Sequence, residues 1–356
     1  MSRKLFIIFS VIFVAGIISV SFFWFSNRQS EKIAINTTQN TDKNLSTKTT
    51  TPSTSESGLI FAVEADPHMD GQSDPQIYKQ TLQNIVNAKP AFLIDLGDIF
   101  MIDKLSDKSE TNIRNRYVLM KSYYDLLGSI PLYFAMGNHD GENSWDNPNT
   151  KNYRKQYFPD ETYDKNYYSF ERDDALFIVL DPYTYTSPKP AKDGWGWTLG
   201  KTQYDWLKST LENSKARHKF VFIHHLVGGD AQGRGGIEFA KYYEWGGNNQ
   251  DGSYGFDSRR SGWGKPIHQL LVDNGVDIVF KGHDHFYAKQ ELDGVIYQTV
   301  PQPSHPGETP NTVGDYGYKS GTILGGSGFL KVELSNSTAM VEFIKADGTV
   351  ADSYVK

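Results

Sequence analysis

The chain contains no cysteine among its 356 residues. Disulfide scaffolds, thiolate zinc sites and cysteine nucleophiles are therefore all excluded. Any metal site must be built from histidine, carboxylate and amide side chains, and the sequence supplies nine histidines for that purpose.

Other familiar signals are also missing. The chain has a net charge of -6 and no cluster of basic residues beyond its N-terminal tail, so nucleic acid is not an expected partner. It has neither the Gly-x-Ser-x-Gly elbow of serine hydrolases nor a Walker phosphate-binding loop. Nothing in the sequence indicates an oligomeric state.

One long apolar run is present, from Leu5 to Ser26, and it follows Arg3 and Lys4. At ~1.5 Å per residue such a run is long enough to cross a ~30 Å hydrocarbon layer. It ends in aromatic residues that suit a membrane interface. We predict that residues 1–26 form a signal-anchor transmembrane helix that holds the rest of the chain outside the cytoplasm. A cleaved signal peptide, with secretion of the remainder, is the alternative.

Residues 27–57 are rich in Ser, Thr, Asn and Gln and predict a flexible polar linker. The folded domain is predicted at residues 58–356. Strand-like runs first alternate with helical patterns, which indicates an α/β fold with crossover helices. After Gly294 the strands are separated by turn signals such as Asp347-Gly348, which predicts a mostly antiparallel C-terminal end.

Polar residues follow directly after five strand-like runs. These groups are Asp66-Pro67-His68, Gly97-Asp98, Gly137-Asn138-His139-Asp140, His224-His225 and Gly282-His283-Asp284-His285. A single Asp after a strand usually caps a helix, and a lone His is usually a satisfied polar residue. Here, however, five such groups occur in order, each directly after a strand-like run. Ligands of α/β sheets bind beyond the carboxyl ends of strands. We therefore predict that all five meet in one site.

In this order the five groups resemble the motifs of the calcineurin-like metallophosphoesterase superfamily, across Leu59 to Lys345. The resemblance implies a four-layer α/β/β/α sandwich with a β-rich C-terminal end and two metal ions bridged by one carboxylate. It implies that the first ion is bound by Asp66, His68, Asp98 and His285, and the second by Asp98, Asn138, His224 and His283. It also implies that His139 is an outer-sphere acid, oriented by Asp140.

The chemistry of phosphoester hydrolysis agrees with this set. Two cations ~3.5–4 Å apart neutralise the phosphoryl oxygens and lower the pKa of a bridging water towards ~7, which yields a hydroxide nucleophile. Asp98 suits the bridge, since a carboxylate has one oxygen for each ion. Mixed nitrogen and oxygen ligands favour Fe, Mn or Zn, as two divalent ions or a mixed-valence pair. A leaving alkoxide needs a proton, which His139 would supply.

The arrangement is similar to that of purple acid phosphatases, but Met101 stands where that branch has a metal-binding Tyr. The predicted function is hydrolysis of small phosphomonoesters. A phosphodiesterase or nucleotide pyrophosphatase activity at the same site is the first alternative. A non-catalytic cell-surface binding module stabilised by metal is the alternative from another class.

Three further residues are predicted to contact substrate. His225 follows the predicted ligand His224 and would either face the substrate or pack nearby. The Gly- and aromatic-rich stretch from Val227 to Gly264 lies between predicted ligands, so it should lie near the metals. Arg259 or Arg260 in this stretch would bind phosphate, because guanidinium groups match phosphate oxygens; the alternative is a solvated pair on a structural loop.

Overall fold

Alternating strands and helices build the folded part of the chain. The structure, a computed structural model, describes residues 58–71, 73–140, 157–158, 166–186, 194–228, 233–307 and 313–356. Within these residues the strands are β1 (Ile60–Glu64), β2 (Leu93–Asp95), β3 (Leu132–Phe134), β4 (Tyr168–Arg172), β5 (Ala175–Val179), β6 (Thr184–Tyr185), β7 (Trp197–Thr198), β8 (His218–Ile223), β9 (Ile278–Lys281), β10 (Tyr287–Leu292), β11 (Val295–Thr299), β12 (Thr322–Leu324), β13 (Gly328–Leu334), β14 (Ala339–Lys345) and β15 (Val350–Val355). The helices are α1 (Pro75–Ala88), α2 (Glu110–Tyr124), α3 (Lys201–Asn213), α4 (Ile237–Ala240), α5 (Tyr243–Gly246), α6 (Phe256–Arg259) and α7 (Ile267–Asp273).

The strands form two mixed sheets. The first has the order β15-β14-β13-β1-β2-β3, in which β1, β2 and β3 are parallel and β13 to β15 are antiparallel. The second has the order β12-β10-β11-β9-β8-β5-β4, with parallel pairing from β11 to β5. Strands β6 and β7 pair separately.

Aromatic side chains fill the space between the two sheets. Phe61 of β1 is fully buried, and its ring lies 5.2 Å from that of Phe177 and 5.4 Å from that of Phe220, both in the other sheet. Helices α1 and α2 cover the outer face of the first sheet, and α3 and α7 cover that of the second. The layers are therefore α/β/β/α, and the predicted fold class is confirmed.

Helix α1 shows how local sequence sets an element. Asp74 accepts a hydrogen bond from the Gln76 amide (2.7 Å), and Pro75 occupies the first helical position. Tyr78, Leu82 and Ile85 have helical spacing and are fully buried. The residues Asp74 and Pro75 thus set where the helix begins, and the apolar spacing sets which face is buried.

The C-terminal strands extend the first sheet instead of forming a sheet of their own. Strand β13 pairs antiparallel with β1, for example Val63 with Leu330, and β14 and β15 continue outward. The predicted β-rich end is confirmed. Strand β10 was not predicted, because Lys289, Gln290 and Glu291 interrupt its apolar pattern.

The predicted membrane segment and the predicted linker, residues 1–57, lie outside the described residues, so both stay predictions. The described residues belong to one unit, Ser55–Lys356. Among them, no helix combines the length and the apolar character that crossing a bilayer requires.

Candidate metal centre

The five predicted polar groups lie where strands of both sheets end. Asp66 and His68 follow β1, Asp98 follows β2, and Asn138 follows β3. In the second sheet, His224 follows β8, while His283 and His285 follow β9. Because β1 to β3 are parallel, as are β8 and β9, each set of side chains emerges at one edge of its sheet.

The backbone at these positions is unusual. Asp66, His68, Asp98, His283 and His285 all have positive φ angles, of 59°, 44°, 60°, 72° and 65°. A non-glycine residue in this region carries a cost of order 1–3 kcal/mol, and such strain clusters at functional sites. The turns after β1, β2 and β9 therefore direct polar side chains inward at the expense of backbone stability.

Two glycines allow the loops after β2 and β3 to touch. A Cβ atom on Gly97 would lie 2.2 Å from the Gly137 nitrogen, and one on Gly137 would lie 2.1 Å from Asp98 Oδ1. The buried Asp140 carboxylate then accepts hydrogen bonds from the amides of Gly137 and Asp98, both 2.9 Å long, and of Ile99 (3.3 Å). Asp140 therefore holds the two loops together.

One group of potential ligands surrounds Asp66. His68 Nε2 lies 3.0 Å from His285 Nε2, and Asp66 Oδ1 is 3.7 Å from the first and 3.5 Å from the second. Ligand atoms bound at about 2.1 Å to one ion lie roughly 3–3.5 Å apart. The three side chains therefore have close to the spacing of a metal site.

A second group surrounds His224. Its Nε2 atom lies 3.2 Å from Asn138 Oδ1, 3.2 Å from His283 Nδ1 and 3.1 Å from Asp98 Oδ2. Asp98 Oδ2 is also 3.8 Å from His68 Nε2, so this oxygen connects the two groups. The structure thus brings together all seven predicted ligands.

Two carboxylate oxygens in the centre fit bound cations. Asp66 Oδ1 and Asp98 Oδ2 are buried and have no hydrogen-bond partner among the described residues. The other oxygen of each is satisfied, by the amides of His283 and His139 respectively, at 2.8 Å. A buried carboxylate oxygen that accepts no hydrogen bond is costly unless a positive charge lies beside it. Because Asp98 Oδ1 accepts the His139 amide, Oδ2 is the oxygen of this carboxylate that lacks a hydrogen bond, and the bridging of two ions by Asp98 stays a prediction.

The electrostatics of the centre depend on its two carboxylates. Burial alone would raise the pKa of Asp98, but His224 and His139 beside it hold that pKa well below its usual range. Burial opposes protonation of His224, yet the Asp98 and Asp66 charges raise its pKa to about 9. Burial and the neighbouring His285 lower the pKa of His68 to about 3. The carboxylates are therefore ionised and His68 is neutral at neutral pH.

His139 lies at the opening of this group. Its Nε2 atom is 3.9 Å from Asp98 Oδ2, and its side chain is 17% exposed, whereas that of Asp98 is 1% exposed. Asp140, which the motif resemblance assigns to orienting His139, makes the backbone hydrogen bonds described above. Its carboxylate thereby fixes the turn that carries His139.

Most of the folded part of the chain matches a known protein family. The profile of the calcineurin-like phosphoesterase family matches residues 59–287, well over half of the chain. The chain belongs to this family. It is therefore a metallophosphoesterase, and the side-chain groups described above are its candidate metal-binding residues.

Several solved structures share the fold of this metallophosphoesterase. A purple acid phosphatase from yellow lupin is 17% identical (TM-score 0.57), and the match covers 84% of this chain but only 53% of the lupin chain. GAP50, the anchor in the inner membrane complex of Plasmodium, is 19% identical (TM-score 0.56; 84% and 88% covered). A dimetal phosphatase from Danio rerio is 12% identical (TM-score 0.53; 84% and 99% covered). The search of curated proteins gave no match.

Arg260, which was predicted to contact phosphate, binds groups within the protein instead. The Arg260 guanidinium is buried, pairs with the buried Glu244 carboxylate, and donates to the carbonyls of Trp195 (2.8 Å) and Trp197 (3.0 Å). The predicted phosphate contact of Arg260 is therefore not supported, because its N–H donors bind Glu244 and the two backbone carbonyls. Arg259 is exposed and lies over the Trp195 ring at 5.9 Å, so its predicted substrate contact stays a prediction.

Substitution should therefore lower stability strongly at Arg260 and change it little at Arg259. Arg260→Met is expected to lower the free energy of unfolding by about 3 kcal/mol, because it leaves the buried Glu244 charge unpaired. Arg259→Met, the matched control, should change it by less than about 0.5 kcal/mol. Urea unfolding measures both values. A stable Arg260→Met protein with reduced kcat/KM would restore the substrate-binding interpretation.

His225 packs inside the protein beside the centre. It is fully buried, and its ring lies 4.9 Å from that of Trp197 and 5.2 Å from that of Tyr183. The buried atoms His225 Nε2 and Tyr183 Oη have no hydrogen-bond partner in the described part of the chain. Tyr183 follows β5 without any motif, so sequence reasoning missed it.

Metal content distinguishes the roles of His224 and His225. His224→Ala should lower the number of bound metal ions, because His224 Nε2 is within 3.2 Å of Asn138 and His283. His225→Ala should keep full occupancy. Metal analysis after gel filtration measures both, and loss only in His225→Ala would reverse the assignment.

A buried network supports the loop that carries His283 and His285. Lys281 Nζ lies 2.7 Å from Asp284 Oδ2, and the Tyr318 hydroxyl donates to the same oxygen at 2.6 Å. Arg234 donates to the His283 carbonyl at 2.8 Å. Sequence reasoning missed these residues, since only Asp284 falls within a motif.

Proposed function

We propose that this metallophosphoesterase hydrolyses phosphomonoesters with a pair of metal ions. The observation that supports this most strongly is the pair of unsatisfied, buried oxygens, Asp66 Oδ1 and Asp98 Oδ2, each facing imidazole nitrogens. Asp66, His68, Asp98 and His285 would hold one ion, and Asp98, Asn138, His224 and His283 the other. When bound, the ions supply charge neutralisation for the phosphoryl group and an acidified water.

Each protein group then has one task. Asp98, whose Oδ2 atom lies within 3.8 Å of both His68 Nε2 and His224 Nε2, would be a ligand of both ions. His139 Nε2 donates a proton to the leaving alcohol oxygen, and the partial exposure of this ring is what access to substrate requires. Asp140 holds together the loops that carry Asp98 and His139, because its carboxylate accepts backbone amides of both.

A turnover panel tests the proposal. Full-length protein is stripped of metal by chelation and reloaded with Mn, Fe, Zn or Mg, the first three being favoured by the donor atoms. Monoester, diester and pyrophosphate substrates are then compared. The proposal predicts the highest kcat/KM on monoesters. A higher kcat/KM on diesters or pyrophosphates would instead indicate a phosphodiesterase or a nucleotide pyrophosphatase. A protein that binds two ions but hydrolyses none of these substrates would be a binding module.

Metal loading should depend on pH through His224. With no cation bound, its pKa of about 9 means that the imidazole is protonated at neutral pH, whereas ligation needs the neutral ring. Ion binding therefore releases a proton, and affinity should rise about tenfold per pH unit from neutrality to about pH 9. Calorimetric titration in buffers of different ionisation enthalpy counts the protons. Affinity that does not change with pH would contradict the raised pKa.

We further propose that the domain acts outside the cytoplasm, either anchored by the apolar run from Leu5 to Ser26 or released after its cleavage. Protease treatment of intact cells should digest the domain. Protection until lysis would refute this placement.

A further inference from the structure

A separate cavity adjoins the loops of the metal centre. Its volume is about 430 Å³, and its lining includes Asp70, Met101, Lys104, Asn112 and Arg116. Asp70 comes two residues after the predicted ligand His68, and Met101 comes three residues after Asp98. The cavity therefore begins where the ligand-bearing loops after β1 and β2 end.

Backbone hydrogen bonds fix this wall of the cavity to the centre. The His68 amide donates to the Asp98 carbonyl at 3.1 Å, and the Met69 amide donates to the Ile99 carbonyl at 2.9 Å. The Met101 amide then donates to Asp70 Oδ2 at 3.3 Å. These bonds fix the positions of Asp70 and Met101 relative to the loops that carry His68 and Asp98.

Arg116 of α2 is the most informative residue of the lining. Its side chain is half-buried, yet it makes no hydrogen bond or ion pair with the part of the chain that the structure describes. The other arginines there are engaged; for example, Arg217 pairs with Asp174 and Arg234 with Asp284. A guanidinium that is partly withdrawn from water gains most from a carboxylate or phosphate, whose oxygens match its donors.

The rest of the lining also suits an anion. Lys104 adds a second positive charge and Asn112 adds an amide donor, against the single carboxylate of Asp70. Oδ2 of that carboxylate already accepts the Met101 amide. The named lining residues therefore carry one net positive charge, next to a centre built to bind phosphate.

We infer that this cavity binds a second anionic group of the substrate, at the end of the leaving alcohol remote from the phosphoester. The inference rests on the proposed function and narrows its substrate class. Substrates are phosphomonoesters whose alcohol carries a carboxylate or a further phosphate, and Arg116 is the residue that selects them.

Matched substrates test this selection on the metal-loaded, full-length protein. Phosphogluconate is compared with sorbitol phosphate, which has the same open chain but ends in a hydroxymethyl group in place of the carboxylate. Phosphoglycerate and glycerol phosphate form a shorter pair. In at least one pair the anionic substrate should have the higher kcat/KM, by roughly tenfold, the effect of one hydrogen bond to a charged group.

Two variants on the same helix supply the control. Arg116→Gln should abolish the preference and leave kcat/KM for the neutral-tailed substrate within about twofold. Arg114→Gln, which removes an exposed pair with Glu110, should keep the preference. No preference in the wild type, persistence in Arg116→Gln, or equal loss in Arg114→Gln would each overturn the inference.

The proposed function and the role of the cavity fail in different ways. If the wild type hydrolyses neither the four substrates nor p-nitrophenyl phosphate, the proposed function is wrong and this inference falls with it. If it hydrolyses the neutral-tailed esters as fast as the anionic ones, only the inference about the cavity is wrong.

Discussion

Replacing Asp98 with asparagine is expected to lower kcat by about 10³-fold or more, the scale of losing several kcal/mol of charge stabilisation by a metal pair. The substituted side chain would keep a carbonyl oxygen to accept the His139 amide, now bound at 2.8 Å by Asp98 Oδ1. It would lose the negative charge at an oxygen that connects both groups of ligands. The fold should therefore persist while metal binding weakens.

The measurement combines steady-state kinetics with metal analysis of the same preparation. Asp205→Asn is the matched control, because it makes the same chemical change at an exposed aspartate that pairs with Lys201. That control should keep both activity and metal. An Asp98→Asn enzyme with two bound ions and near-normal kcat would show that Asp98 does not connect them.

Replacing His139 with asparagine should have the second largest effect, and its size should depend on the leaving group. General-acid catalysis contributes about 10²- to 10⁴-fold for a poor leaving group such as an alkoxide. p-Nitrophenolate needs little protonation, so kcat for p-nitrophenyl phosphate should fall far less than kcat for an alkyl phosphate. Comparing the two substrates in wild type and variant measures this difference.

Metal content decides between two roles for His139. His68, Asp98 and His139 also lie close enough together to hold an ion. If His139 is the acid, the variant keeps its metal, as should the control His305→Gln, whose ring interacts with Gly307 of its own turn. Loss of an ion together with equal loss on both substrates would make His139 a ligand.

The sequence predicted the fold and the gathering of the site because both depend on local pattern. Apolar runs such as Ile60–Glu64 and Ile278–Lys281 are buried strands, and the residues after them lie at strand ends whatever the loops do. Asp66 and His285, separated by most of the domain, thereby come within 3.5 Å. The structure therefore brings together the seven ligands that the five motifs predicted.

The features that the sequence did not predict depend on tertiary contacts that leave no local pattern. Arg260 was expected to contact the substrate. Its position depends instead on the Glu244 carboxylate and the carbonyls of Trp195 and Trp197, which are distant in sequence. Tyr183 and Arg116 carry no motif. The hydrogen bond from the His139 amide to Asp98 Oδ1 is a backbone contact that residue types do not reveal.

The most direct test of the central claim is electron paramagnetic resonance of the full-length protein titrated with Mn(II), with activity measured at each point. A shared Asp98 oxygen implies two neighbouring ions, so we expect an exchange-coupled spectrum that grows in step with phosphomonoesterase activity until two ions are bound per chain. Full activity with one ion, or with two ions whose spectra remain uncoupled, would contradict it.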